Sequence, residues 1–144
     1  RAALECALGK TGFRHDTPAF FSWMGVVGYL ERDTALATLR SVARAAAPRS
    51  RIVFDFPAAL ETLDDDARAL ARTVDAGTAS FGETRRGKHD PARLARDVAA
   101  LGFAVRRHWT PAEHLARYFA GRSDGLAPNP ETHLLELEGP GVAT

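Results

Sequence analysis

Residues 19–30 read A-F-F-S-W-M-G-V-V-G-Y-L, the longest apolar run in the chain. Such a run reads as a strand buried on both faces, opening through Gly25 and Gly28 into a loop at its carboxyl end. In an open α/β sheet ligands sit at that end, where loops meet strand tips and helix N-termini. One wall of any site therefore begins near Trp23. Trp23 and Tyr29 are the aromatic groups best placed to pack on a ligand, although either could equally serve the core.

Downstream, Glu31-Arg32-Asp33-Thr34 supplies a helix start. Leu36, Leu39, Val42, Ala43 and Ala46 then recur on one face until Pro48. Arg51 to Phe56 is rich in β-branched and aromatic residues and reads as a second strand, completing a β-α-β unit with parallel strands and a right-handed crossover. Asp55 ends that strand, either facing the crevice or capping the turn around Pro57.

Upstream, Ala2 to Leu8 suits a short helix ended by Gly9 or Gly12. Gly9-Lys10-Thr11 has the tail of a phosphate-binding loop, but Leu4 stands in place of its first glycine and no strand precedes it.

Further along, Leu60, Leu63, Ala67, Leu70 and Val74 form a helical stripe, with Asp64, Asp65 and Asp66 on its wet side. Gly77 to His89 reads as an extended loop or lid. Asp90 and Pro91 open a helix closed by Gly102, and Phe103 to Trp109 is a more exposed strand. Thr110-Pro111-Ala112-Glu113 carries the capping-box pattern of a helix that places Leu115 and Phe119 inward. Thr132 to Glu138 is the last strand, its mixed charge fitting an exposed or antiparallel strand better than a central one. The expected fold is α/β: half of a Rossmann-like open sheet, parallel strands followed by an antiparallel edge hairpin.

The 144 residues fit one domain, and 45% hydrophobic content is enough for a core. A formal net charge of +1 carries no strong message about partners and gives no reason to expect nucleic acid. The single cysteine, Cys6, excludes an intrachain disulfide and a thiolate metal cage, and fits a reducing cytoplasm. The apolar run around Phe20 is too short to span a bilayer, and the first residues lack the pattern of a signal peptide. The sequence begins at Arg1, inside an apparent helix, so an upstream part of the domain is expected.

Motifs of covalent and metal chemistry fail. Ser22 in F-F-S-W-M lacks the glycines of a nucleophile elbow, and Cys6 reads as an inert buried thiol or as a nucleophile acting with a distant histidine. His15, His89, His108, His114 and His133 include no H-E-x-x-H pair. His89-Asp90 reads as a loop histidine beside a helix cap or as an acid/base pair. Arg85, Arg86 and Lys88, and Arg106, Arg107 and His108 beside Trp109, read as charged solvent faces or as holders of an acidic substrate or nucleic acid.

In order along the chain, these elements resemble the S-adenosylmethionine-dependent O-methyltransferases related to leucine carboxyl methyltransferases, of the polyketide-biosynthesis type. The matching pieces are Gly12-Phe13, P-A-F-F-S-W-M-G-V-V-G-Y-L at 18–30 and S-R-I-V-F-D-F at 50–56. Then follow F-G-E at 81–83, L-G-F at 101–103, T-P-A-E at 110–113 and R-S-D-G-L at 122–126.

The resemblance implies a seven-stranded methyltransferase sheet, with residues 1–144 as the C-terminal part of a single domain and the glycine-rich cofactor-binding half upstream. It implies S-adenosyl-L-methionine as cofactor and a small-molecule hydroxyl or carboxylate as methyl acceptor. The isolated chain is then expected to bind the cofactor weakly and to be inactive. Trp23, Met24 and Gly25 fall on the cofactor side, and Tyr29, Arg85 and Arg86 on the substrate side. Met24 stands where many relatives carry glutamate. The implied reaction, attack of a substrate oxygen on a sulfonium methyl, needs positioning more than a protein nucleophile. A competing reading from another class is a non-catalytic interaction module using an exposed sheet edge. Neither reading fixes the oligomeric state.

Overall fold

A computed structural model describes residues 3–139. In chain order the elements are α1 (Ala3–Gly9), β1 (Phe20–Trp23), α2 (Arg32–Ala45), β2 (Arg51–Pro57), α3 (Asp65–Ser80), α4 (Pro91–Ala100), β3 (Ala104–Trp109), α5 (Pro111–His114) and β4 (Thr132–Glu138). The first residue of the predicted helix, Ala2, lies outside the described residues.

The four strands form one sheet in the order β1-β2-β4-β3. β1 runs parallel to β2, whereas β4 is antiparallel to both β2 and β3. The mixed α/β sheet expected from the sequence is therefore present, with its parallel β-α-β unit and its antiparallel pair.

Register decides which residues share a face. Ile52, Phe54 and Phe56 of β2 stand beside Leu137, Leu135 and His133 of β4. Five of these six are buried apolar residues, packed with Leu36, Leu39 and Val42 of α2 and Leu94 and Val98 of α4. The opposite face carries Val53, Asp55 and Pro57 opposite Glu136, Leu134 and Thr132.

Three expectations change. The apolar run is not one inner strand: pairing ends at Trp23, Gly25 turns at φ 71°, and Val27–Tyr29 forms a 3-10 turn. β1 is also an edge strand among the described residues, with Phe20 66% exposed. Uniform hydrophobicity masked this, because a run without alternation holds no information about which face is covered.

Second, Gly77 lies inside α3, which continues to Ser80. The hydroxyls of Thr78 and Ser80 bond back to the carbonyls of Asp75 and Gly77, so the turn formers are absorbed by the helix. Third, β4 is antiparallel as expected but central, not at the rim. Leu135 and Leu137 are fully buried, while Glu136 and Glu138 lie on the other face and pair with Arg51 and Arg106.

Asp90 acts as the helix start that the sequence predicts, accepting the Arg93 N–H at 2.7 Å with Pro91 next in line, whereas Glu31 before α2 makes no side-chain cap. Asp64, expected only as part of a wet helix face, caps α3 by accepting the Ala67 N–H at 2.8 Å, and Leu60–Thr62 forms a separate 3-10 turn ahead of it. Thr110 and Glu113 form the complete capping box.

Candidate functional site

A crevice of about 150 Å³ opens at the carboxyl ends of β1 and β2, lined by Gly25, Gly28, Tyr29, Asp55, Pro57, Arg85 and Thr132. Asp55 resolves its two readings in favour of the crevice. Its Oδ1 accepts the Gly25 N–H at 2.6 Å, fixing the reversal that follows β1. The positive φ of Gly25 suits a residue without Cβ. At Gly28 a Cβ would rest 3.4 Å from the Pro57 ring and 3.7 Å from Arg85 Nε, so the bare backbone keeps this wall thin.

Of the six site residues that the family resemblance implies, the crevice gathers Gly25, Tyr29 and Arg85. Trp23 lies on the helix-covered face against Phe54, ring centroids 5.9 Å apart. Met24 is half exposed beside the crevice and does not line it. Arg86 points outward to Glu31 at 3.7 Å, with its side chain 63% exposed.

Arg85 and Lys88 do not belong to a charged solvent face. Glu131 is fully buried, and its carboxylate accepts from Arg85 at 2.6 Å and from Lys88 at 2.9 Å. Asp75 of α3 pairs with the same two cations at 3.2 and 3.0 Å. Burial alone would raise the Glu131 pKa, but Lys88 and Arg85 hold it below the usual carboxylate range. Two cations and two carboxylates thus cancel, and the quartet ties loop 81–90 to α3 and to the entry of β4. Sequence reasoning missed Glu131 because no local pattern links it to side chains more than forty positions away.

Backbone contacts complete the tie. Gly87 N–H donates to the Gly28 carbonyl and His89 N–H to that of Pro57, each at 3.0 Å. A Cβ on Gly87 would collide with the carbonyl oxygens of Val27 and Leu30. His89 is buried, and desolvation pushes its pKa down. With Asp90 occupied as a helix cap, the two do not form an acid/base pair.

The second basic cluster is also internally satisfied. Arg106 makes a two-bonded pair with Glu138, and the Arg107 guanidinium lies 3.7 Å over the Trp109 ring. On the helix-covered face His108 Nε2 and His133 Nδ1 are 2.8 Å apart, with both rings stacked near Phe56. Burial, then the neighbouring His108 and His114, push His133 down to about 4. No group of three or more metal-ligating side chains occurs among the described residues. No described helix is long and apolar enough to cross a membrane.

Comparison with known proteins bears on the fold. The model of the leucine carboxyl methyltransferase family matches residues 1–43, under a third of the chain. Among curated proteins, none matches the sequence. Solved structures match over most of the chain. TnmH is 16% identical over 86% of this chain and 31% of its own, with a TM-score of 0.56. The mitomycin 7-O-methyltransferase MmcR is 15% identical over 92% of this chain and 37% of its own, at 0.55. A duf574 family protein from Streptomyces avermitilis is 14% identical over 94% and 52%, at 0.63.

At such identities the likeness is one of fold. The chain has the Rossmann-like sheet found in structures that include small-molecule methyltransferases, and spans about a third to a half of their length.

Proposed function

We propose that the chain is the C-terminal part of an S-adenosylmethionine-dependent methyltransferase domain of the leucine carboxyl methyltransferase-like type, acting on the oxygen of a small molecule. The observation that carries this reading is the crevice at the tips of two parallel strands, where Asp55 clamps the Gly25 turn beside Tyr29. Fold likeness to O-methyltransferases supports it. The sequence match, although confined to residues 1–43, includes β1 and this turn.

The residues present fit a sulfonium cofactor in part. Asp55 brings a carboxylate to the crevice, and Arg85 brings no uncompensated positive charge, so a cation meets a favourable field. At about 150 Å³ the crevice takes only one edge of a nucleoside-sized molecule. The remainder would be held upstream. On this reading Gly25 forms the cofactor edge and Tyr29 and Arg85 the acceptor edge, while Met24 stands beside the crevice, Trp23 packs behind it on Phe54 and Arg86 turns outward to Glu31.

When bound, the cofactor supplies an electrophilic methyl group on sulfur. This chain contributes a rigid turn, a carboxylate field and a wall that keeps the acceptor oxygen in line. The interaction-module reading draws on the place of β1 at the edge of the sheet among the described residues but leaves the clamped turn and its crevice without a purpose.

Titration calorimetry of the complete gene product with S-adenosylmethionine tests the proposal. Saturable binding is expected, and absence of saturable heat at millimolar ligand would sink it.

A further inference from the structure

Among the described residues Arg85 is the one cation that lines the crevice, and its side chain is only 10% exposed. A guanidinium stays charged at every pH a folded protein meets, so its burial cannot be relieved by loss of a proton. It has to be balanced by carboxylates. The fold brings two from distant parts of the chain, Asp75 on α3 and Glu131 ahead of β4, at 3.2 and 2.6 Å from Arg85 Nη1. Lys88 Nζ takes the second oxygen of each, at 3.0 and 2.9 Å. The four groups therefore close a ring in which each cation touches both carboxylates. The rest of the Arg85 guanidinium lies toward the crevice, its Nε 3.7 Å from where a Cβ on Gly28 would stand.

Anchoring the loop does not by itself call for four charges. The Gly87 and His89 N–H groups already bond it to the Gly28 and Pro57 carbonyls, and Ala58 pairs with His89 as an isolated bridge. A buried ion network is also a poor source of stability, because desolvation offsets most of the attraction. What the ring does achieve is electrostatic. It sets a permanent cation in the crevice wall without giving the crevice a positive charge. Asp55, whose Oδ1 bonds the Gly25 N–H, then sets the sign of the field there.

Resting on the methyltransferase reading, we propose that Glu131 and Asp75 are specificity-determining residues that act through Arg85 and Lys88. They keep the crevice free of net positive charge, so that it prefers a sulfonium ligand to the neutral thioether of the same shape. Neither carboxylate lines the crevice. Charge acts across the few ångströms of a small, partly wet crevice, where one unit changes binding by about tenfold.

The test uses the complete gene product, titrated calorimetrically with S-adenosylmethionine and with S-adenosylhomocysteine, which lacks the sulfur methyl and its positive charge. The ratio of the two dissociation constants is the readout. Glu131→Gln and Asp75→Asn each leave the ring with one excess positive charge, and each should shift the ratio about tenfold against S-adenosylmethionine. Arg85→Gln leaves one excess negative charge and should shift it the other way. Combining Glu131→Gln with Arg85→Gln restores neutrality and should return the ratio to within about twofold of its starting value. A purely structural role would weaken both ligands together, whatever the sign of the charge removed. The Asp75 side chain is 29% exposed, so Asp75→Asn keeps the test decisive if Glu131→Gln unfolds the protein.

A ratio that moves less than about twofold in the folded single-carboxylate variants, or that moves the same way in Arg85→Gln, overturns the inference. If the unaltered protein binds both ligands while the ratio stays fixed across the variants, the inference falls alone and the methyltransferase reading stands. If the unaltered protein binds neither, that reading falls and takes the inference with it.

Discussion

On the face covered by α2 and α4, β2 presents Ile52, Phe54 and Phe56 and β4 presents Leu135 and Leu137, all buried. On the other face, at the strand ends, the same two strands present Asp55, Pro57 and Thr132 to an open crevice, supported from behind by the Glu131 quartet. The first region is held by removal of apolar surface from water, which needs no particular partner. The second is held by specific hydrogen bonds, charge pairs and a glycine contact, each of which fails if one member changes. Stability therefore resides mainly in the first region and geometry in the second.

The sharpest way to break this comparison is to attack the core. Phe54 is 1% exposed and touches both Trp23 and Phe56. Phe54→Ala should cost about 4 kcal/mol of global stability, seen as a large fall in urea midpoint. A loss below about 1 kcal/mol would mean that the helix-covered face is not the main source of stability.

The histidine pair is a polar element of that core face, and its pH dependence follows from its burial. His133 is near 4 when folded and near 6.5 when unfolded. Between these values the unfolded chain binds the proton and the folded chain does not. Its contribution is therefore complete above about pH 6.5 and is lost as pH falls toward 4, by roughly 3 kcal/mol in all. His108, whose Nε2 lies 2.8 Å from His133 Nδ1, is shifted in the same direction by burial. Urea midpoints measured across this window should fall with pH, and His133→Gln should flatten most of the slope. A flat profile in the unaltered chain would place the pair in water.

The same contrast explains what could be read from the sequence. Apolar periodicity and capping residues act locally, so α2, β2, α4 and the Thr110 box were legible. Asp55 was placed at the crevice as one of two alternatives because it ends a recognisable strand. The edge position of β1, the central position of β4 and the continuation of α3 past Gly77 depend on which elements meet in space, which a single apolar run or glycine does not encode. Glu131 is the extreme case. A glutamate after Pro130 looks like any loop residue until Arg85, Lys88 and Asp75 are brought around it. Two elements of the crevice, Gly25 and Tyr29, were identifiable from the strand they follow, whereas the neutralisation of Arg85 was not.

That quartet supplies the finest test of the comparison. Glu131→Gln preserves shape but leaves two cations facing Asp75 alone. Removing one member of a buried pair costs about 3 to 5 kcal/mol when the site is wholly dry. Arg85 and Lys88 keep 10% and 16% of their side-chain surface exposed, so a cost of about 2 kcal/mol is expected. The location of the loss matters more than its size. If the quartet anchors loop 81–90, hydrogen exchange should speed up at the Gly87 and His89 amides, which bond to Gly28 and Pro57. It should stay unchanged at Ile52 and Leu137, in the buried ladder. Uniform acceleration at all four positions would show that the charged region supports the whole sheet, and the division of labour between the two faces would fail.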